Sequence, residues 1–292
     1  SVSNQPTVST AQTVSVLRFG SDNSVTLTIS GGNLLSSGSM RGQWSNARVH
    51  TINVSSGVLN AGTNLLLSDG ITGHEIQLNV ASGSVIVNND LIQSAGQINF
   101  TGTGNVTING DYNYTGGNFY AGSGTVIYTG GLEQNVANVD YNHLTVTKST
   151  STATINHPTV VNGNLTVNSG GELIILDTLT VLGDFTISSS TLVETINSVI
   201  NLQGNWTRNG TFIPKSGKVV FDGTGTQTVN NTSFNDLEIN KASGSLLLNN
   251  NIVVNGNLHI AKGTFDLDTF NADRSFAGGV FSMDSGSVML LE

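Results

Sequence analysis

A block of 44 residues that recurs 93 positions later limits the folds open to this chain more than any other feature. Residues 124–167 and 217–260 align without a gap and are identical at 16 of the 44 positions. The longest identical run is the hexapeptide VVNGNL, which begins at Val160 and again at Val253. Other equivalent pairs are Val126 with Val219, Tyr128 with Phe221, Gln134 with Gln227, Tyr141 with Phe234, Leu144 with Leu237 and Lys148 with Lys241. Because the block consists of strand and turn residues, it predicts a solenoid in which each turn of chain stacks on the next.

Short segments in which apolar and polar residues alternate recur along the chain from Val14 onward. Examples are Val85–Val87, Val106–Ile108, Leu165–Val167 and Val219–Phe221. A period of two with β-branched residues is typical of β-strands. Ser-Gly, Asn-Gly and Gly-Gly pairs separate the segments, and these pairs accept the backbone angles of tight turns. No segment has the sustained 3.6-residue period of a helix, so we expect an all-β chain.

The spacing of these segments favours stacked coils over a β-sandwich, because the hairpins of a sandwich need not follow a common period. Corresponding segments begin at Val106, Val126, Leu144, Leu165, Phe185 and Trp206. The step between them, roughly 18–21 residues, suits one turn of a parallel β-helix with two or three short strands. We predict about fourteen coils in one continuous solenoid over residues 1–292, with irregular coils in 1–95 and the superrepeat in 96–292. The superrepeat would span roughly four to five coils, one of them lengthened by an insert near Asn230–Asp236.

A second recurring pattern is Gly, then Asn or Asp, then an apolar residue. The central residues of this pattern are Asp111, Asn164, Asp184, Asn205 and Asn257. Asn and Asp alternate there, so their shared property is a side-chain oxygen that accepts a backbone N–H at a turn. We predict that these side chains stack on successive coils as a structural corner ladder.

Composition excludes several classes of function. Only 10 Lys and Arg are present against 19 Asp and Glu, for a net charge of −9, so no basic stripe is available to bind nucleic acid. Cysteine is absent, which removes disulfides and thiolate chemistry. No apolar run is long enough to span a membrane. With 37% hydrophobic residues the chain should nevertheless fold around a narrow core.

The segment Gly38–Val49 is the least strand-like part of residues 1–95, and we predict that it is a loop leaving the solenoid. Arg41, Trp44 and Arg48 lie close together in this segment, where they could offer a cationic and aromatic contact surface. The alternative is a bulged loop that packs Trp44 on the coil.

Two groups of carboxylates are candidates for the acid pair of a glycoside hydrolase, which needs two carboxyl groups roughly 5–10 Å apart. The groups are Glu172, Asp177 and Asp184, and Asp266, Asp268 and Asp273. Asp184 already belongs to the predicted corner ladder, and Asp177 lies in a Leu-Asp-Thr turn. We therefore interpret both groups as turn residues and predict that the chain is not an enzyme.

The five histidines lack the close spacing that a metal site uses. They are His50, His74, His143, His157 and His259. We interpret them as surface residues, and we predict neither a metal nor another cofactor.

Three longer phrases resemble the β-strand repeats of very large secreted bacterial surface proteins, the adhesin-like cargo of the type IX secretion route. The phrases are GNLTVNSGG, GNWTRNGTFIPKSGKVVFDGTGTQTV and FNDLEINKASGSLLLNNNIVVNGNLHIAKGTFDLD. They are more loosely similar to the coils of filamentous-haemagglutinin-type adhesins. The resemblance covers residues 96–292 well and 1–95 only in style. It implies a right-handed β-helix on the bacterial cell surface or in an extracellular fibre, and it supplies no catalytic residues.

These features together predict a structural segment, a stalk or fibre of a secreted adhesin or extracellular filament. The alternative is a β-helix that binds or cleaves polysaccharide. Expected partners are further coils or copies of the same protein stacking end to end, and surface glycans. Because strand-like residues continue to the last position without a polar cap, we also expect either more coils after Glu292 or a partner that covers this end.

Overall fold

The computed structural model describes residues 5–20, 22–168, 170, 172–189 and 192–291. Ser1 and Glu292, the outer bounds of the predicted solenoid, lie outside these ranges. In the described part the chain is all-β, and its parallel strands form about 13 turns of a β-solenoid, close to the fourteen expected. No helix that could span a membrane is found in the described ranges. The chain divides into a first unit, residues 1–143, and a second unit, residues 144–292.

The first unit is built from short strands on three sides of each turn. Its strands are β1 (Thr7–Val8), β2 (Gln12–Val14), β3 (Leu17–Phe19), β4 (Thr26–Ile29), β5 (Asn33–Ser36), β6 (Met40–Gly42), β7 (Arg48–Val54), β8 (Val58–Ala61), β9 (Leu65–Leu66), β10 (His74–Val80), β11 (Ser84–Val87), β12 (Leu91–Gln93), β13 (Gln97–Phe100), β14 (Asn105–Ile108), β15 (Tyr112–Tyr114), β16 (Asn118–Tyr120), β17 (Thr125–Gly130) and β18 (Gln134–Asn135). The first side stacks β1, β4, β7, β10, β13 and β16 in parallel, and the second stacks β2, β5, β8, β11, β14 and β17. The third stacks β3, β6, β9, β12 and β15.

Turn length in the first unit varies more than the sequence predicted. The residues in register on the first side are Ile29, Val54, Val80 and Phe100. The turns that end at Val54 and at Val80 are both longer than the predicted step of roughly 18–21 residues, so the prediction is wrong for these two turns. The turn that ends at Phe100 fits the predicted step. The two longer turns contain the irregular segments 43–47 and 67–73. All four side chains of this row are buried, so the extra residues leave the core and the register of the inward row intact.

The second unit repeats the three-sided turn. Its strands are β19 (His143–Lys148), β20 (Thr152–Ile155), β21 (Thr159–Val161), β22 (Leu165–Val167), β23 (Glu172–Ile175), β24 (Leu179–Val181), β25 (Phe185–Ile187), β26 (Leu192–Thr195), β27 (Val199–Leu202), β28 (Trp206–Arg208), β29 (Thr211–Ile213), β30 (Lys218–Phe221), β31 (Gln227–Val229), β32 (Ser233–Phe234), β33 (Asp236–Leu248), β34 (Ile252–Val254), β35 (Leu258–Asp266), β36 (Ala272–Asp273), β37 (Phe281–Met283) and β38 (Val288–Leu290). Its first side carries the inward row Leu144, Leu165, Phe185, Trp206 and Val229. The first three intervals of this row fit the predicted step, and the last is slightly longer. Alternate residues of these strands are buried, as the period-two pattern predicted.

The superrepeat does not correspond to a whole number of turns. Leu144 lies on the first side of the second unit, in register with Leu165. Its equivalent, Leu237, lies on the third side of this unit, which stacks β21, β24, β27, β30, β33, β35 and β37, and is in register with Leu258. The two copies are therefore rotated around the coil relative to each other. Each side presents a short strand with the same inward alternation, and for this reason one block of sequence fits more than one side.

The prediction of an insert near Asn230–Asp236 is wrong. The turn that runs from Val219 to its register partner Leu237 lies at the short end of the predicted step, so nothing lengthens it. Phe234 is fully buried and packs edge-to-face on Trp206, with ring centroids 5.6 Å apart. The segment contains strand β32, which pairs with β34. Its Phe234 belongs to the core and not to a loop that leaves the coil.

Candidate functional site

A surface cavity of about 300 Å³ in the first unit contains two of the three residues predicted for the contact surface. Arg41 and Trp44 line it together with Arg18, Leu66 and Asp69. Arg18 and Arg41 lie in register on the neighbouring parallel strands β3 and β6, which places their Cα atoms about 4.8 Å apart. Both residues are exposed. The cavity therefore presents two adjacent cations in a chain whose net charge is −9.

Trp44 is held in the cavity wall by stacking on His74. The indole and imidazole centroids are 5.6 Å apart and the ring planes differ by 17°. Gly42 has no side chain, and a Cβ there would overlap the indole ring. The indole Nε1 is buried and has no hydrogen-bond partner among the described residues. Trp44 thus packs on the coil, as the alternative interpretation expected, and still contributes to the cavity.

Asp69 supplies a negative group at the same cavity. Its carboxylate bonds the His74 Nδ1, with the shorter N–O distance 2.9 Å, and accepts the Ile71 N–H at 3.1 Å. Partial desolvation alone would raise the pKa of Asp69, but the hydrogen bonds from His74 and Ile71 lower it overall. The carboxylate is therefore ionised at neutral pH, and its side chain is 37% exposed. It can accept further hydrogen bonds from a ligand.

The segment Gly38–Val49 is only in part the loop that was predicted. Met40–Gly42 forms strand β6, and Arg48 begins strand β7. The Arg48 guanidinium donates to the Asp22 carbonyl oxygen from Nε and Nη2, each at 3.2 Å, and to the Ala47 carbonyl at 2.7 Å. Arg48 therefore braces backbone away from the cavity of Arg41 and Trp44. Sequence reasoning missed Arg18 and Asp69, because the step from Arg18 to Arg41 exceeds the predicted period.

The corner-ladder residues of the second unit connect successive turns. Asn164 Oδ1 accepts the Asp184 N–H at 2.9 Å, and Asp184 Oδ1 accepts the Asn205 N–H at 2.7 Å. Asn205 Oδ1 then accepts the Thr228 N–H at 2.9 Å. Each side chain therefore bonds the backbone of the following turn, and either an amide or a carboxylate oxygen can do so.

Asn257 and Asp111 belong to two other stacks. Asp236 Oδ1 accepts the Asn257 N–H at 2.7 Å, and Asn257 Oδ1 accepts the Val280 N–H at 2.9 Å, on the third side of the second unit. In the first unit, Asp90 Oδ1 accepts the Asp111 N–H at 2.9 Å. Asp111 Oδ1 is buried and has no partner among the described residues. The sequence pattern missed two ladder residues, Asp90 and Asp236, because neither follows a Gly. Asn or Asp before a large apolar residue is therefore the more general sequence signal for a ladder position.

We expect replacement of Asp184 by Ala to lower the free energy of unfolding by about 1–2 kcal/mol, because the Asn205 N–H loses its acceptor. Asp184→Asn keeps a side-chain oxygen and should change stability by less than about 0.5 kcal/mol. Urea unfolding followed by circular dichroism measures both. Equal losses in the two variants would show that the charge of Asp184, and not its oxygen, matters at the corner.

Gln and Lys residues that are identical in the two copies of the repeat form a buried polar set. The sequence did not indicate the role of these residues. Gln227 and Lys241, equivalent to Gln134 and Lys148, are all at most 2% exposed. Gln227 donates its amide to the carbonyl oxygens of Leu202 and Gly204. Lys241 Nζ donates to Gln227 Oε1 at 2.5 Å and to the Gly223 carbonyl at 2.8 Å. The set provides hydrogen-bond partners for buried backbone groups where β30 leads into β31.

Burial makes the charge of Lys241 costly. Desolvation lowers the pKa of Lys241 from 10.5 to about 8, and the nearby Asp222 offsets part of this. Desolvation likewise raises the pKa of Asp222. Because the unfolded chain holds the Lys241 proton more tightly, the penalty is fully present below pH 8 and is relieved between about pH 8 and 10.5. The penalty is about 3 kcal/mol at 1.36 kcal/mol per pKa unit.

We therefore expect the free energy of unfolding to rise by roughly 2 kcal/mol between pH 7.5 and pH 9.5. Above about pH 10 the trend should reverse, because burial raises the pKa of Tyr112, Tyr128 and Tyr141 and unfolding then releases their protons. Urea unfolding of the wild type and of Lys241→Met across this range tests the assignment. A rise of the same size in Lys241→Met would contradict it.

The interpretation of the candidate catalytic carboxylates as turn residues holds for Asp177 and Asp268 but is wrong for Glu172, Asp266 and Asp273, which lie at the ends of strands β23, β35 and β36. Asp184 is in the ladder, Asp177 Oδ1 accepts the Thr178 N–H at 2.6 Å, and Asp266 Oδ1 accepts the Asp268 N–H at 3.0 Å. No group of three or more His, Cys, Asp and Glu that could hold a metal is found in the part of the chain that the structure describes.

Two of the histidines predicted at the surface are in fact buried. His50 is fully buried, accepts the Val25 N–H at Nδ1 and stacks on Phe19, and His74 is 8% exposed. Desolvation and the charge of Arg48 lower the pKa of His50, so its ring is neutral at neutral pH. The prediction failed because His50 occupies an inward position of β7, where the period-two pattern placed an apolar residue.

No protein-family model, curated protein or solved structure matches the chain.

Proposed function

We propose that the chain is a structural segment of a secreted bacterial surface adhesin or extracellular filament, and that it has no catalytic activity. One observation carries the proposal: the polar side chains of the corners bond the backbone of the adjacent turn. In the second unit three successive corners do so, through Asn164, Asp184 and Asn205. Such residues stabilise the stacking of each turn on the next.

The surface formed by β37 and β38 supports a role in which turns stack on further turns. Phe281, Val288 and Leu290 are 52%, 42% and 39% exposed. Among the described residues, both strands pair on one side only, with β35. Apolar side chains beside unpaired strand edges favour association with another strand-bearing coil. The partner that this surface fits is a further coil of the same kind, which a second copy can provide.

Sedimentation velocity and electron microscopy over a wide range of protein concentration test the proposed stacking. The wild type should form linear assemblies as concentration rises, and the Phe281→Lys, Leu290→Lys double variant should remain monomeric. Leu176→Lys with Leu182→Lys is the matched control, because these two leucines of the second unit are similarly exposed at 42% and 38%. A wild type that stays monomeric throughout would contradict stacking between copies.

A panel of polysaccharides tests the absence of catalysis. We expect no release of reducing ends from any of them. Turnover that Asp177→Ala or Asp184→Ala abolishes would overturn the structural role and favour a polysaccharide-cleaving β-helix. Polysaccharide binding without cleavage is the second candidate function, and the cavity of Arg18, Arg41 and Trp44 favours it.

A further inference from the structure

Among the residues that the structure describes, the two arginines of the cavity have no partner. Neither Arg18 nor Arg41 forms a hydrogen bond or ion pair with another described residue, whereas Arg48, Arg208 and Arg274 all donate to backbone carbonyls. The register of β3 and β6 keeps the two guanidinium groups on neighbouring strands. Two like charges on neighbouring strands repel each other, and one bound anion that bridges them would offset the repulsion.

The rest of the cavity restricts the class of anion. The ionised Asp69 carboxylate lines the same cavity as the arginines, so a compact dianion such as phosphate would be repelled from the part of the cavity next to Asp69. A ligand that carries one negative charge and also donates hydroxyl hydrogen bonds can satisfy the arginines and Asp69 at once. Trp44 and Leu66 add apolar surface, against which the C–H groups of a ring can pack.

We propose that this cavity binds a uronic-acid residue of an acidic polysaccharide. The sugar carboxylate accepts hydrogen bonds from Arg18 and Arg41, a ring hydroxyl donates to Asp69, and the C–H face of the ring lies against Trp44. The site lies in the first unit and does not depend on the proposed stacking surface of the second unit. The structural role therefore stands or falls separately from this binding site.

Calorimetric titration of the whole chain with short oligomers of galacturonate, glucuronate and mannuronate tests the proposal. We expect saturable binding of at least one oligomer, and about tenfold or greater loss of affinity when its carboxylates are methyl-esterified. Arg18→Gln and Arg41→Gln should each weaken binding by a similar factor. Lys262→Gln, an exposed cation of the second unit, is the control that removes the same charge elsewhere and should leave the affinity unchanged.

Fluorescence locates the ligand independently. The chain has two tryptophans, so Trp206→Phe leaves Trp44 as the only reporter. Binding should change the Trp44 emission over the same concentration range as the calorimetric signal. Polyglutamate and sodium sulfate serve as anions without a sugar ring.

Three results would overturn the uronate site. The first is no calorimetric binding of any uronate oligomer, and the second is binding that Arg18→Gln and Arg41→Gln leave unchanged. The third is equal affinity for polyglutamate or for sulfate, which would mean that the arginines attract any anion. A thermal melt of each variant, compared with the wild type, establishes that the cavity is still folded.

Discussion

Replacing Leu165 by Asp should lower the free energy of unfolding by about 5 kcal/mol or more. Leu165 is fully buried on the first side of the second unit, between Leu144 and Phe185 in the inward row. The change removes apolar contacts and places a carboxylate between the apolar side chains of the inward row. Because each turn contacts only its neighbours, the damage should be local. Hydrogen exchange should show protection lost first in β19, β22 and β25, with β35 affected later.

Thr166→Asp is the matched control for this change, because Thr166 is the next residue of the same strand and points outward. It should alter stability by less than about 1 kcal/mol. Urea unfolding of both variants gives the comparison. If Leu165→Asp melted like the wild type, the inward register of β22 would be wrong, and with it the stacking of this side.

Replacing Trp206 by Ala should cost about 4–5 kcal/mol. Trp206 is 1% exposed and packs edge-to-face on Phe185 and Phe212, with ring centroids 4.9 Å away in each case. Its Nε1 donates to the Thr232 hydroxyl at 3.0 Å. The substitution therefore leaves a large cavity, strips contacts from several aromatic rings and removes a buried hydrogen bond.

Trp206→Phe separates packing from hydrogen bonding. It keeps an aromatic ring in the cluster but loses the bond to Thr232, so it should cost only about 1–2 kcal/mol. Thermal unfolding and urea titration measure both variants. Equal losses for Ala and Phe would indicate that the hydrogen bond, and not the aromatic cluster, dominates at this position.

The fold class could be predicted because a solenoid uses local rules that repeat. Val, Leu, Ile and Phe at alternate positions specify strands with one inward face, and Asn or Asp before an apolar residue specifies a corner. Both rules apply within a short stretch of chain, so Leu165 and Asp184 could be assigned their environments from the sequence. Turn length was less predictable, because irregular segments such as 43–47 lengthen a turn without changing the inward row.

The candidate site could be predicted only in part. Arg41 and Trp44 were singled out because they are close in sequence, but Arg48 was included for the same reason and lies apart from the cavity. Arg18 and Asp69 join the cavity through strand stacking across turns of unusual length. The number of residues between Arg18 and Arg41 exceeds the predicted step, so the predicted step could not have paired these two residues.

The sequence alone determined that the chain is an all-β solenoid with inward apolar rows and Asn or Asp at its corners, because strand alternation and turn chemistry are local. Only the tertiary structure decided which residues meet across turns. It placed equivalent residues of the repeat on different sides, buried His50 and Lys241, and brought Arg18 beside Arg41. These outcomes depend on the number of residues in each turn, and the length of a turn is set by how the irregular segments fold back onto the coil.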